Sequence, residues 1–445
     1  MLTTYGKMLS HIKRLRGIDI TLDELYEIDL EHKDIYEVLN SGSLGAVFQF
    51  SEYAGKRTVI DAKPQCFEDV MACESICRPG VKEDKIYINN KTNGYELSGL
   101  DVLDNILNST FGAIIYQEQT MMILHRIGGF TLGEADGLRK VPSLEPYRER
   151  FVNYAINTHH ISVKFANDIF SRLDLGYSFN KSHAGVYAIH SCVNAYCKAN
   201  YFIEYMSAYM SMEMLKDDKK SNINDLIMEC RENGITFLPP DINIATDEFI
   251  PMNSTEVMLP ITFIKGMGEK AIETITKLRP YTSVQDLIDR VPKRNVNKTT
   301  FQKLIKSGSF DKFTTNRQSI LNEYSDVLDV YWCDEVKMNY ERETLGMTLG
   351  KHPLDNYINV KVSNYAEDTP ISINAIINDV TCRPDKKGNM MAFIKCENKV
   401  CVFEGLIFSY KYEALQPLLL PQLKVNIQGK VSNGKILIDK MKIIS

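Results

Sequence analysis

Apolar residues recur at three- and four-residue intervals through LTTYGKMLSHIKRL, TLDELYEI and HKDIYEVLNSGS, so residues 1–45 read as a helical connector. LGAVFQF at 44–50 is short, apolar and partly alternating, the pattern of a strand or a buried extended segment. A helical period returns at 67–77 and stops at RPG, where proline and glycine cannot continue it. The polar, asparagine-rich VKEDKIYINNKTNGYELSG then reads as an exposed excursion. AIIYQEQTMMILHRIGGFTLGEADGLRK predicts two helices broken at Gly128 and Gly129, with Thr131 and Glu134 spaced as a capping box for the second. Helical periodicity dominates from about 145 to 235 and includes one long run over 184–215.

LPPDIN at 238–243 forces an extended exit and a change of texture. A short β-like stretch leads into ITFIKGMGEKAIETITKL, and NKTTFQKLIKSGSFDKF repeats the theme of a helix ending at a glycine turn. A charged helical linker follows. From 371 the period shifts toward two in ISINAIINDVTC, MMAFIKCEN, KVCVFEGLIF, LKVNIQGKVS and KILIDKMKII, with DKKGN as a hairpin loop and SYKYEALQPLLL as a helix between the third and fourth strands. Five short strands with that interruption predict a small OB-fold barrel. The expected architecture is mixed and mainly α: helices to 45, a helical domain over 46–240, a glycine-hairpin helical domain over 241–325, a linker over 326–369 and a β-barrel over 370–445.

At 445 residues the chain has room for several cores, and its 44% hydrophobic and 24% charged residues are those of an ordinary globular protein. A net charge of -5 restricts any nucleic-acid surface to a local patch. The N-terminus has no signal-type apolar core, and the ten cysteines show no repeated Cys-x-x-Cys frame, so the expected setting is reducing and cytoplasmic. The near-pairs Cys73/Cys77 and Cys192/Cys197 read as core cysteines rather than metal ligands.

FNKSHAGVYA at 179–188 crowds Asn180, Lys181, Ser182 and His183 at the start of the long helical run, as a held anion would require. Ser182 is the expected N-cap, and His183, Tyr187, His190 and Asn194 fall on one face as a polar stripe. In FIKGMGEKA, Gly266 and Gly268 allow a tight turn that points helix-start amides at a phosphate, with Lys265 and Lys270 adding charge, which is the pattern of a helix-hairpin-helix. A plain glycine turn explains the same residues equally well. The barrel offers Phe393, Phe403, Phe408, Tyr410 and Tyr412 as stacking candidates for single strands, although alternating aromatics in a sheet more often form core. Arg57, Lys63, Arg78, Arg139, Lys140 and Lys181 lie near turns or helix ends where cations can converge on a polyphosphate. No closely spaced pair of aspartates sits on a convincing strand, so no metal site is expected here.

The blocks AVFQF, CFEDVMACESICRPG, GAIIYQEQTMMI, GGFTLGEADGLRK, GYSFNKSHAGVYAI, LPPDIN and IKGMGEKAI, in this order, resemble the C-family bacterial DNA polymerase III alpha subunit over almost the whole chain. ERETLGMTLGKHPLDNY at 341–357 is similar to that family's lead-in to its OB domain. The resemblance implies a fingers domain, then a clamp-binding region with the helix-hairpin-helix, then the OB domain. It also implies that Arg78, Arg139 and Lys181 face an incoming nucleotide's triphosphate or the template, with Gln117, Glu118 and Gln119 of YQEQ nearby; Lys140 and His183 complete the expected phosphate-binding set. The family's PHP domain and palm aspartates precede this point, so the resemblance implies a split, phage-type enzyme. The metal site, with its Mg2+, would then lie on a separately encoded palm chain, and this chain alone would be inactive.

KVPSLEPYRER follows Arg139 where the family continues with a second arginine and a Gly-Lys-Lys stretch, a departure at the expected cationic contacts. QSILNEY lacks the terminal aromatic pair of a sliding-clamp peptide, and QPLLL falls inside the barrel helix. The expected partners are primer–template DNA, single-stranded template, a deoxynucleotide and the palm chain, with a sliding clamp open and no membrane. The setting would be a bacterial cytoplasm or a phage-infected host cell. The competing expectation is a non-catalytic DNA-binding protein using only its helix-hairpin-helix and OB modules, and a third is a gene fragment with no partner.

Overall fold

The computed structural model describes the chain except residues 79–82, 175–177, 217–219, 315, 325–333, 351–352, 355, 361, 363–364, 400 and 445. Pro79 and Gly80 of RPG, Gly176 and Tyr177 of GYSFNKSH and much of the expected linker therefore lie outside the described residues. The chain forms two compact units, Ile20–Phe202 and the combination of Met1–Asp19 with Ile203–Ser445. This division falls inside the first two expected segments, 1–45 and 46–240, and leaves the other three together in one unit.

In the Ile20–Phe202 unit, one apolar cluster joins Ile35, Leu39, Val70, Cys73, Ile115 and Cys192, and a second joins Leu103, Ile123, Leu124, Phe130, Phe151 and Phe170. LGAVFQF is buried as expected, but as consecutive turns rather than a strand, with positive φ at Ala46 and Gln49. Its polar groups are satisfied from the Lys181–Asn200 helix. Lys198 Nζ donates to the Ser43 and Gly45 carbonyls at 2.7 and 2.5 Å, and Asn194 Oδ1 accepts the Phe48 N–H at 3.0 Å. A ladder partner is thus unnecessary. The segment passes so close to the Tyr53–Ala62 helix that a Cβ on Gly55 would lie 2.2 Å from the Gln49 carbonyl oxygen.

The middle of the asparagine-rich excursion is the helix Asp84–Asn93, while 94–99 are irregular and mostly exposed as expected. Tyr87 supplies its anchor: fully buried, it donates its hydroxyl to Asp69 at 2.9 Å. The two helices around the Gly128–Gly129 break are Gln117–Arg126 and Leu132–Leu138, and Thr131 and Glu134 form the expected capping box. The long run is divided at Tyr201 into Lys181–Asn200 and Phe202–Glu213.

In the second unit the helix Leu2–Arg16 is a packed element more than a connector. Arg16 grips the buried Glu204 with two nitrogens at 2.7 and 2.9 Å, Lys7 pairs with Glu248, and Arg14 donates to the Pro251 carbonyl. His11 lies on the same helix with a buried Nε2 that has no partner among the described residues. Short strands β1 (Thr236–Leu238), β2 (Ile250–Pro251) and β3 (Glu256–Met258) form a sheet in the order β1-β3-β2. Helices Glu269–Lys277, Val284–Arg290 and Lys298–Ser307 follow, the last two capped by Ser283 and Asn297.

The five expected strands are β4 (Pro370–Pro384), β5 (Met390–Glu397), β6 (Val402–Ile407), β7 (Lys424–Ser432) and β8 (Lys435–Ile443), closed in the order β4-β5-β6-β8-β7. Closure depends on the length of β4. Its first half pairs with β7 and its second half with β5, with a register shift between Ile377 and Asp379 that bends it around the core. The parallel β6–β8 pair and the Ser409–Leu415 helix between β6 and β7 complete a five-stranded OB-type barrel. Upstream, Arg342 of the Asp334–Leu345 helix donates to Glu397 of β5 at 2.8 Å and to Gln422 at 2.9 Å. Among the described residues no helix is long and apolar enough to cross a membrane, and no group of three or more His, Cys, Asp or Glu could hold a metal ion.

Candidate nucleic-acid interface

Two motifs that are 63 residues apart are joined by their backbones. The Phe179 N–H donates to the Ile115 carbonyl and the Gln117 N–H to the Phe179 carbonyl, both at 2.8 Å, making Tyr116 and Phe179 a parallel bridge. YQEQ and FNKSH thus begin their helices side by side. Glu118 reaches across and accepts the Lys181 N–H at 3.0 Å and the Asn180 side-chain amide at 3.2 Å.

The cap of the Lys181–Asn200 helix is Asn180, not Ser182: Asn180 Oδ1 accepts the His183 N–H at 2.8 Å and the Ser182 hydroxyl at 2.7 Å. A protein carboxylate and a protein amide therefore occupy the helix start where an outside anion was expected. Any phosphate contact here falls to side chains instead. The expected polar stripe is also different: the His183 ring lies 4.5 Å from Tyr187, Tyr187 lies 5.4 Å from Phe48, and His190 contacts Phe48 at 5.9 Å. Asn194 ends the row buried against the Phe48 backbone. The face is an aromatic ladder because the 44–50 turns pack on it.

The cations gather around the Tyr116–Phe179 bridge. Arg78 lays its guanidinium 4.7 Å from the Phe179 ring centroid and 5.4 Å from that of Tyr187, while its Nε and Nη2 are buried with no hydrogen-bond partner among the described residues. Lys181 Nζ is 5.4 Å from the Tyr116 ring centroid and 3.6 Å from Glu68. Arg139 donates to Gln117 at 3.1 Å and to Asp136 at 2.8 Å, and Lys140 pairs with the same aspartate at 2.7 Å. Gln119 has a structural job: buried, it accepts the Ile115 and Tyr116 N–H groups at 2.9 Å and donates to Thr110 at 2.7 Å, leaving its amide unable to face a ligand. Arg57 pairs with Asp61 at 3.6 Å, and Lys63 ends its helix in a left-handed conformation.

Sequence reading missed Glu74. It is fully buried in the Phe67–Ile76 helix four residues before Arg78, and its Oε1 lies 2.5 Å from the Ser191 hydroxyl. Burial pushes its carboxyl up to about 7 against the opposing influences of Ser191 and Arg78. The available signal was a charged residue inside the otherwise apolar CESIC run.

In the glycine hairpin, Gly266 has φ +69° and Gly268 caps the following helix. Lys270 is exposed, whereas Lys265 turns back to the Arg342 carbonyl at 3.2 Å. Lys303, which motif reading passed over, reaches the Gly266 carbonyl at 3.3 Å from the Lys298–Ser307 helix. In the barrel, Phe403 is core at 5% exposure and offers no stacking face. Phe393 is half-buried beneath Arg383, 4.0 Å from its centroid, and the outward pair is Phe408 with Tyr410, stacked at 6.0 Å and 12°.

A cation-bearing helical unit, a glycine-hairpin helical region and an OB-type barrel make a modular chain whose hairpin and barrel are folds that recur in nucleic-acid binding. Residues 1–155 match the bacterial DNA polymerase III alpha subunit finger domain, and 234–320 match a helix-hairpin-helix motif. The chain is 28% identical to the DNA polymerase III alpha subunit of Thermus aquaticus, an alignment covering 95% of this chain and 39% of the relative. It is also 28% identical to the alpha subunits of Bacillus subtilis and Escherichia coli K12, covering 94% and 92% of this chain and 41% of each relative. The chain is thus similar along most of its length to part of the bacterial DNA polymerase III alpha subunit, with a finger-domain match, a helix-hairpin-helix match and an OB-type barrel. The chain spans about two fifths of the length of these relatives.

Proposed function

We propose that this chain acts in DNA replication as the fingers, helix-hairpin-helix and OB part of a template-directed DNA polymerase. The observation that carries this reading is the gathering of Arg78, Lys181 and the Gln117–Arg139 pair around one backbone bridge in a chain related to polymerase alpha subunits. Arg78 is the principal phosphate contact, because its buried nitrogens lack partners and its aromatic seat fixes the guanidinium plane. Lys181 adds a half-exposed charge whose protein partner is weak at 3.6 Å. Arg139, Lys140 and His183 line the approach, and the Gly266–Gly268 hairpin with Lys270, together with Phe393 and the barrel's outer aromatics, carries DNA.

The carboxylates that hold two divalent metals such as Mg2+ would come from a palm outside these residues. Metals held there would supply the nucleophile activation and charge neutralisation that phosphoryl transfer requires. This chain contributes binding, orientation and cations in a bacterial or phage-infected cytoplasm. The reading is tested by co-purifying the chain with a palm-bearing polypeptide from the same genome and assaying primer extension. Extension by the pair and by neither part alone is expected. Salt-sensitive DNA binding without extension or nucleotide dependence would replace the reading with a binding-only protein.

A further inference from the structure

Glu74 lies in the Phe67–Ile76 helix and Arg78 follows four residues later, just past its end, yet neither completes the other. Glu74 Oε2 is buried with no partner among the described residues, as are Arg78 Nε and Nη2. A buried carboxylate left half-satisfied is costly, and so is a buried guanidinium without an acceptor. The surroundings favour a proton as the remedy for the first. Ser191 has one hydroxyl hydrogen and two oxygens in reach, Glu74 Oε1 at 2.5 Å and the Phe48 carbonyl at 3.0 Å. A protonated Glu74 donates to Ser191 while Ser191 donates to Phe48, and all three oxygens are served. An ionised Glu74 takes the Ser191 hydrogen and leaves the Phe48 carbonyl with only the Phe50 N–H at 2.7 Å.

We propose that Glu74 is a proton-linked positioning residue for Arg78: it holds a proton while Arg78 binds an anionic phosphate ligand, and once ionised it draws the guanidinium away from that ligand. The inference rests on the reading of Arg78 as the phosphate contact. The groups that face Glu74 are Arg78, Cys73 and Cys77 on its own segment, and Ser191 and Cys192 on the Lys181–Asn200 helix. Burial raises all three thiols, Cys77 to about 11 and Cys192 to about 12, so near neutrality Arg78 is the charge that acts on Glu74. An anion on Arg78 cancels that cation's pull and adds its own repulsion. Protonation of Glu74 therefore becomes more favourable, and binding takes up a proton.

The test is calorimetry of dATP binding to the full chain at pH 7, in buffers of different ionisation heat, for wild type, Glu74→Gln and Arg78→Ala. Wild type is expected to take up about half a proton more than Glu74→Gln, and its affinity to fall about threefold more per pH unit around pH 7. The nucleotide's own titration is common to both and cancels. Infrared difference spectra of the wild type alone should show a protonated-carboxyl band growing on dATP addition, which keeps the test open if Glu74→Gln misfolds. Equal proton uptake in wild type and Glu74→Gln, or no such band, overturns this inference even where Arg78→Ala weakens binding. Unchanged dATP binding by Arg78→Ala overturns the nucleotide reading itself.

Discussion

Glu118 accepts the backbone N–H of Lys181, so the first turn of one helix closes the start of another that lies 63 residues later in the chain. The pair joins capping to function, since the lysine held at this helix end is one of the proposed phosphate contacts. Glu118→Ala is expected to destabilise the Ile20–Phe202 unit by about 1 kcal/mol, the usual value of a lost cap. Chemical denaturation followed by circular dichroism measures this, and an unchanged midpoint would show that Asn180 caps the helix unaided.

Arg78 carries opposite demands from stability and binding. Replacing it with leucine removes a half-buried guanidinium whose buried Nε and Nη2 have no partner among the described residues, so folding stability should stay within about 1 kcal/mol of wild type or rise. Affinity for dATP should fall at least tenfold, and Arg78→Lys should recover little, because an ammonium lacks the planar fork that stacks on Phe179 and Tyr187. Thermal melts and equilibrium binding on the same preparations separate the two effects.

Lys181→Ala in the reconstituted pair should depress nucleotide incorporation far more than primer–template affinity. Its exposed contact with Glu68 contributes little to folding. Single-turnover extension and a salt titration of DNA binding give the two readouts, and equal losses in both would count against a nucleotide role.

The Arg342–Glu397 pair is buried on both sides, with side-chain exposures of 8% and 9%. Glu397→Ala leaves a buried guanidinium short of its carboxylate and should cost about 3 kcal/mol. Combining it with Arg342→Met should restore much of that loss, and the double-mutant cycle from denaturation curves gives the coupling.

Burial and then the neighbouring Arg14 lower the His11 imidazole from 6.5 to about 4. Above pH 6.5 it is neutral whether folded or unfolded. Between 6.5 and 4 the unfolded chain accepts a proton that the folded chain resists, so stability falls as pH drops through this window. The expected loss by pH 4 is about 3 kcal/mol, and His11→Gln should remove that component from the pH dependence of the denaturation midpoint.

The barrel was legible in the sequence because the period of two, the hairpin loop and the intervening helix agree at every level. Local caps such as Thr131 with Glu134 were equally plain, since both partners lie within four residues. What eluded sequence reading depended on partners far along the chain. The 44–50 segment looked like a strand because burial and strand share an apolar pattern, and only Lys198, Asn194 and Ser191 show how its polar backbone is satisfied without pairing. The Asp84–Asn93 helix looked like an exposed loop because its stability rests on Tyr87 and Asp69 across a core. The site was legible as a set of residue types. Which amides are already occupied, and which guanidinium is left over, emerged only once Glu118 and Phe179 were in place.

The bridge between Tyr116 and Phe179 also has a mechanical meaning. Two backbone hydrogen bonds fasten the roots of two helices, and Arg78, Lys181 and the Gln117–Arg139 pair all rest on rings or side chains at those roots. A hinge anywhere outside this rivet would carry the cations as one plate, preserving their spacing while changing what they face.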